Sequence, residues 1–323
     1  MRLITLDDII DTYAKANQRG LKFIVSKFNL NEIDRAKTAF NHQTIQASNW
    51  WNIPTIKERW KLKVTGNKNL SFEDFTMLNF LNNEQELKML SLGCGNCASE
   101  LKFAEYKNFK EITCCDISEI PLHEASKVAK KKHLNNIVFE VQDANTFSFP
   151  ENYFDVVYFR ASLHHFKNID TLVGKNLKHT LKTNGILIID EYVGANRNLF
   201  PRQQIQAINQ AIKLIPREYR KRFNLNFYKN KVTGPGLIRM KIADPSECVE
   251  SEKILPSIHQ NFKTIYEASY GGNILMMALK DIAHHFLELD EEKEKVLKNL
   301  FDFEDRYLET NVSDFVFGIY KIE

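Results

Sequence analysis

Three groups of residues have the types and spacing to do chemistry. The first is His164-His165, joined further along by Asp190-Glu191-Tyr192. A histidine, with an unperturbed pKa of about 6.5, suits proton removal from a hydroxyl near neutrality. A carboxylate facing it could orient the ring or polarise the reacting group. The second is Leu92-Gly93-Cys94-Gly95-Asn96-Cys97, followed by Asp116 and Asp143. Gly93 and Gly95 allow a tight turn and close approach of a ligand to the backbone. Asp116 is spaced to accept both hydroxyls of a ribose, and Asp143 stands where an adenine amine could be met. The third is the cysteines, five in number. Cys94 and Cys97 have the Cys-x-x-Cys spacing of a redox or half-zinc motif, but no second Cys-x-x-Cys or nearby His-x3-His completes a site. No metal is expected, and the cysteines read as reduced thiols serving as small buried side chains.

These residues need elements to hold them. From Glu86 onward, strands and helices alternate. Lys88 to Leu92, Ile112 to Cys115, Ile137 to Val141, Asp155 to Phe159 and Ile186 to Ile189 read as strands, the last wholly apolar as for one buried on both faces. Helices are expected at Ser99 to Tyr106, Pro121 to His133 and Ile169 to Leu181, the last stopped by Asn184-Gly185. That order predicts an α/β fold with a parallel, doubly wound sheet. The chemical residues then fall at the carboxyl ends of strands, where such sheets bind ligands. Residues 1–82 read as helices, among them Ile4 to Ala16 and Leu21 to Phe40, and Ser71 with Asp74 resembles a capping box. Pro201 to Leu214 and Ser246 to His259 also look helical. Phe262 to Tyr270 and Asp314 to Ile322 look like strands, separated by a helical insertion from Asn273 to Leu308.

A glycine turn and a ribose acid also describe a nicotinamide site. The dinucleotide fingerprint, however, has a third glycine, where this chain has Glu100 on a helix start without a basic residue. A carboxylate there would repel a diphosphate and tolerate a cofactor without phosphate. With that, Leu90-Ser91-Leu92-Gly93-Cys94-Gly95 resembles the first motif of the class I S-adenosylmethionine-dependent methyltransferases. Asp116, Asp143-Ala144 and Phe154-Asp155-Val156-Val157-Tyr158 match that family's next motifs in order, and Leu181-Lys182-Thr183-Asn184-Gly185-Ile186-Leu187 matches its turn before strand five. Asn96-Cys97 and Thr183-Asn184 are mild departures. The resemblance covers about residues 85–192. It implies a Rossmann-like, mainly parallel seven-stranded sheet, with Gly93, Cys94, Gly95, Asp116, Ile117, Asp143, Ala144 and Arg160 around S-adenosyl-L-methionine. The helical segments outside that stretch, with Trp50, Trp51 and Trp60 in the first 82 residues, suggest a division into a helical N-terminal lid, 1–82, and a methyltransferase domain, 83–323, with helical insertions at about 195–260 and 273–309.

The residues after strand four exclude some methyl acceptors. Tyr158-Phe159-Arg160-Ala161 lacks the Pro-Pro of adenine and amide methylating enzymes, and no cysteine follows a proline as in cytosine-C5 enzymes. Leu163-His164-His165-Phe166 with Asp190 and Glu191 is similar to O-methyltransferases that modify deoxysugars. On that resemblance His164 or His165 is the base and Asp190 assists, although from the residues alone either Asp190 or Glu191 could face the ring; otherwise a histidine merely packs over the cofactor. Trp50 and Trp51 could stack on a sugar or belong to a core. Trp50-Trp51-Asn52-Ile53-Pro54 and Glu191 to Arg197 also resemble a bacterial subgroup associated with glycan and polysaccharide biosynthesis, adding Tyr192 and Arg197 as substrate candidates. The expected function is therefore O-methylation of a sugar, glycan or other small molecule. An RNA methyltransferase and a cofactor-binding pseudoenzyme are the alternatives.

Composition sets the remaining limits. Lys plus Arg number 44 against 41 Asp plus Glu, a net charge of +3 that excludes a histone-like or an acidic disordered protein. The basic clusters at Lys127 to Lys132 and Arg217 to Arg222 lack an appended basic domain, so nucleic acid is not the expected partner. A solvated helix face explains the first, whereas the second leaves binding of a substrate phosphate open. Apolar runs such as Ile186 to Ile189 are too short to cross a bilayer, and Asp7, Asp8 and Asp11 are wrong for a signal peptide. A cytoplasmic protein is expected, either monomeric or a homodimer.

Overall fold

Seven strands form one sheet in the computed structural model, which describes residues 2–20, 48–146 and 148–322. The helix expected over Leu21 to Phe40 lies outside the described residues. The strands are β1 (Leu87–Leu92), β2 (Phe109–Asp116), β3 (Ile137–Val141), β4 (Phe154–Arg160), β5 (Leu181–Tyr192), β6 (Phe262–Gly271) and β7 (Phe315–Ile322). Their order is β3-β2-β1-β4-β5-β7-β6. The pairs β1–β2, β2–β3, β1–β4 and β4–β5 are all parallel. This is the doubly wound α/β sheet expected from the alternation of elements. Strand order reverses between β1 and β4, so the loops that follow these two strands flank the switch point where open sheets bind ligands.

The chain divides into two compact units, each drawn from three stretches. Leu70–Val193, Cys248–Ala268 and Val316–Glu323 form the unit that carries most of the sheet. Its core runs from Leu90, Leu92 and Val157 through Leu187 and Ile189 to Ile254, Ile258 and Tyr320, all buried. Central strands are apolar on both faces because helices cover both sides of a parallel sheet. Helix Phe72–Phe80 starts at Ser71, whose hydroxyl accepts the backbone N–H of Asp74. Met1–Asn69, Gly194–Glu247 and Ser269–Phe315 form the other unit. It is helical, with Leu6–Arg19, Pro54–Thr65, Arg202–Lys213 and Glu291–Leu308 as its longer described helices. Among the described residues, no helix is long and apolar enough to cross a membrane.

Three elements differ from expectation. The run expected as one helix from Ile169 contains a π-helical turn, Leu172–Leu177, and β5 begins at Leu181, before Asn184-Gly185. The turn itself is present, with Asn184 at φ 70°, but strand pairing holds on both sides of it: Phe154 pairs with Leu181 and Val156 with Ile186. The helix expected from Ser246 begins only at Ile254. Asp244 accepts the backbone N–H and the hydroxyl of Ser246, a local bonding pattern that competes with helix formation.

Candidate active site

The loop after β1 is shaped by backbone bonds to β2 and within itself. The N–H of Gly93 donates to Cys115 O at 2.8 Å, and that of Cys97 to Cys94 O at 2.9 Å. Gly93 and Gly95 both have positive φ, 70° and 54°, but serve different ends. A Cβ on Gly93 would lie 2.8 Å from the Cβ of Ser162, whereas one on Gly95 would meet nothing within 4 Å. Gly93 is thus a packing glycine, and Gly95 faces open space that a ligand can enter. Asp116, buried at the end of β2, accepts the N–H of Gly95 on one oxygen and that of Ser118 on the other, both at 2.8 Å. A carboxylate has about four acceptor positions, so two remain for vicinal hydroxyls. Burial raises its pKa, against the two amides that lower it.

Asp143 caps its own loop: its Oδ1 accepts from the backbone and the side-chain amide of Asn145, each at 2.9 Å. Ala144 opens the short turn Ala144–Thr146, and Ile117 is half-buried beside Asp116. Glu100 does not stand as an open charge at the helix start. It is buried, receives the Ser91 hydroxyl at 2.6 Å, and burial pushes its carboxyl up to about 7. Burial thus weakens the repulsion it was expected to exert on a diphosphate. The open cradle at Gly95 and the spare acceptors of Asp116 nevertheless fit S-adenosyl-L-methionine.

The loop after β4 carries a second constellation. Ser162 donates its hydroxyl to Leu92 O at 2.9 Å, locking this loop to the end of β1. Glu191, wholly buried on β5, accepts four donors: the N–H groups of Ser162 and Leu163 at 2.8 and 2.7 Å on Oε2, and on Oε1 the N–H of Tyr192 at 2.8 Å and His164 Nδ1. His164 is buried, and His165, half-buried, holds its ring centroid 4.2 Å away. Tyr192 is buried with its ring edge-on to His164 at 6.2 Å. Because a carboxylate has no proton to give, the Nδ1 of His164 donates and its Nε2 is the basic nitrogen of the neutral ring.

The acids divide their work. Glu191 orients His164, whereas Asp190 pairs with Arg160, Oδ2 to Nε at 3.3 Å. Arg160 also donates to Ser99 Oγ at 2.6 Å, and Ser99 in turn binds Glu73. Burial raises the Glu73 carboxyl, but the Ser99 hydroxyl and the Arg160 charge outweigh it and leave a net lowering. Ser162, Ser99 and Glu73 were not legible as site residues, since a serine or glutamate on an apolar-patterned element carries no spacing signal.

In the helical unit, Trp50 is buried, with Trp60 at 4.7 Å and Phe315 at 5.5 Å between ring centroids. It takes the core role rather than presenting a face for stacking; Trp51 is the exposed member, at 48 %. Arg197 donates to Pro245 O at 2.8 Å and Glu247 O at 3.1 Å, tying down that loop. The second basic cluster is not a continuous cationic surface, because Arg222 is buried and paired with Asp281. In the first, Lys127 pairs with Glu124 and Lys132 with Glu105. All five cysteines are free thiols, four buried and Cys94 half-buried.

Known proteins place this chain in a family. Residues 83–288 match the methyltransferase domain model. The uncharacterized methyltransferase YcgJ of Bacillus subtilis (strain 168) is 29% identical over 108 residues, which cover 33% of this chain and 42% of that protein. The chain thus matches less than half the length of this curated relative. Among solved structures, phosphoethanolamine N-methyltransferase 2 of Haemonchus contortus, in complex with S-adenosyl-L-methionine, is similar with a TM-score of 0.48 and 15% identity, covering 83% of this chain and 56% of that one. The [4+2]-cyclase SpnF is similar with a TM-score of 0.45 and 15% identity, covering 77% and 79%. The family model alone spans more than half of the sequence, so the chain belongs to the methyltransferase-domain family, whose cofactor is S-adenosyl-L-methionine.

Proposed function

We propose that this protein transfers a methyl group from S-adenosyl-L-methionine to a hydroxyl of a sugar, glycan or other small molecule, with His164 as general base. The observation that carries the reading is the His164–Glu191 pair, held by Ser162 against the turn at Gly93. In this reading Gly95 leaves room for the cofactor, Asp116 holds its ribose, and Cys94, Ile117 and the turn at Asp143-Ala144 line its remaining length. When bound, the cofactor supplies an electrophilic methyl on a sulfonium. Glu191 fixes the ring of His164, and Nε2 of His164 accepts the hydroxyl proton as the acceptor oxygen attacks. Arg160, held by Asp190, carries positive charge at the end of β4, where it can orient a polar acceptor.

A positioned base contributes about 10²–10⁴-fold. His164→Ala should lower the transfer rate by that factor while the affinity for S-adenosylhomocysteine, read by calorimetric titration, stays within about twofold, because the imidazole is not asked to hold the cofactor. Radiolabelled methyl should pass to fractionated glycans or small molecules from the source cell and not to its total RNA. Unchanged turnover in His164→Ala ends the base assignment; label in RNA replaces the acceptor class. If no heat accompanies titration of the wild-type protein, the pseudoenzyme and methyltransferase readings fall together.

A further inference from the structure

The glycine turn brings together three thiols that the sequence scatters. Cys94 and Cys97 lie on the turn after β1, and Cys114 lies on β2, opposite Ser91 in the parallel register. The Sγ atoms of all three lie within 4.8 Å of one another. Strand alternation sends only one of the vicinal cysteines to this side. Cys115 instead joins the apolar core and lies 3.7 Å from Glu140. Cys97 takes φ 54°, ψ 32°, a left-handed conformation unusual for a non-glycine residue. Cys97 and Cys114 are fully buried and Cys94 is half-buried, so the group is closed on the protein side and accessible at one edge.

We propose that Cys94, Cys97 and Cys114 form a three-thiolate site for a zinc ion, with the fourth position taken by water or another small ligand. Zinc takes thiolate sulfur at about 2.3 Å in tetrahedral geometry, which sets neighbouring sulfurs roughly 3.8 Å apart. Closing from the observed spacing needs movements of under about 1 Å in the Cys side chains. The contacts given up are weak: Cys94 Sγ to Cys115 O at 3.5 Å and Cys97 Sγ to Gly95 O at 3.7 Å. Thiolates select soft or borderline ions. A divalent ion leaves the three thiolates one net negative charge and a monovalent one leaves two, which favours zinc in a largely buried place. Three Zn–S bonds form, the three thiol protons pass to solvent, and no electron is transferred. The ion would join the turn to β2 beside the Gly93 N–H to Cys115 O and Gly95 N–H to Asp116 bonds.

The test uses the full chain, reduced and stripped of metal, titrated with Co²⁺ as a spectroscopic stand-in. A near-ultraviolet thiolate-to-cobalt absorption should saturate at one ion per chain and vanish on addition of Zn²⁺. Losing even a residue that supports a ligand typically costs 10–100-fold in metal affinity, so Cys114→Ala should weaken binding at least about tenfold. Cys115→Ala and Cys248→Ala should leave it unchanged. Cys94→Ala, at the half-exposed edge, supplies a second ligand variant should Cys114→Ala fail to fold. The proposal is overturned if wild-type protein gives no such band, or if the band persists in whichever ligand variant keeps its native circular dichroism. Methyl transfer is not measured, so this outcome is independent of the acceptor and base assignments.

Discussion

Gly93 and Gly95 sit two positions apart, and a side chain at each should fail in a different way. At Gly93 a methyl would press on the Cβ of Ser162, which cannot swing aside, and the positive φ adds roughly 1–2 kcal/mol of strain. Gly93→Ala should therefore lower the thermal midpoint by several degrees. At Gly95 the strain is similar but the space is open, so Gly95→Val should fold and lose S-adenosylhomocysteine binding. A Gly95→Val protein that binds normally would remove this turn from the cofactor site. Asp116→Ala separates two further roles. It removes the acceptor for the N–H groups of Gly95 and Ser118 along with the proposed ribose contacts, at about 1.5–3 kcal/mol for each bond to a charged group. Cofactor affinity should fall at least tenfold, with a smaller loss of stability; equal affinity would show that the ribose is held elsewhere. The glycine turn and Asp116 were legible because backbone geometry and charge leave a mark in residue type. The work of Glu191 was only half legible, since Asp190 and Glu191 are adjacent and only strand alternation, fixed by folding, decides which one meets His164.

At the level of elements, the central strands were read to within a few residues because a strand buried on both faces has few choices but apolar ones. The π-turn at Leu172–Leu177 and the resumed pairing of β5 beyond Asn184 carry no such pattern. Both depend on what the segment packs against. Asp314, just before β7, is buried and receives Gln204 of helix Arg202–Lys213 at 2.6 Å. Burial pushes its carboxyl up from 3.8 to about 7, against the lowering effect of that bond. The folded state thus holds the proton that the unfolded chain releases. Its contribution to stability is complete below about pH 4 and is lost as pH rises through 7. Asp314→Asn keeps an acceptor for Gln204 without the charge, so the melting temperature of the variant relative to wild type should rise between pH 5 and pH 8. A difference that stays constant over that interval would mean Asp314 does not titrate there.

Across the whole molecule, neither unit is one continuous stretch of chain. Ile254, Ile258 and Tyr320 complete the core beneath β4 and β5, and β7 lies along the flank of β5. A fragment of residues 70–193 would keep the proposed cofactor residues and five strands, yet lose that cover and expose an unpaired strand edge. It should aggregate, or melt without a cooperative transition; a soluble fragment with a sharp transition would show that β6 and β7 are dispensable. The same strand order has a consequence for synthesis. When β5 leaves the ribosome, its neighbour β7 has not been made, and the chain from Val193 to Asp314 must come first. At about 5–20 residues per second, the nascent sheet waits on the order of ten seconds with one side unsatisfied. In that interval the open edge of β5 would be exposed to chaperones that shield strand edges, and the yield of folded protein should respond to their supply more than the stability of the finished fold would suggest.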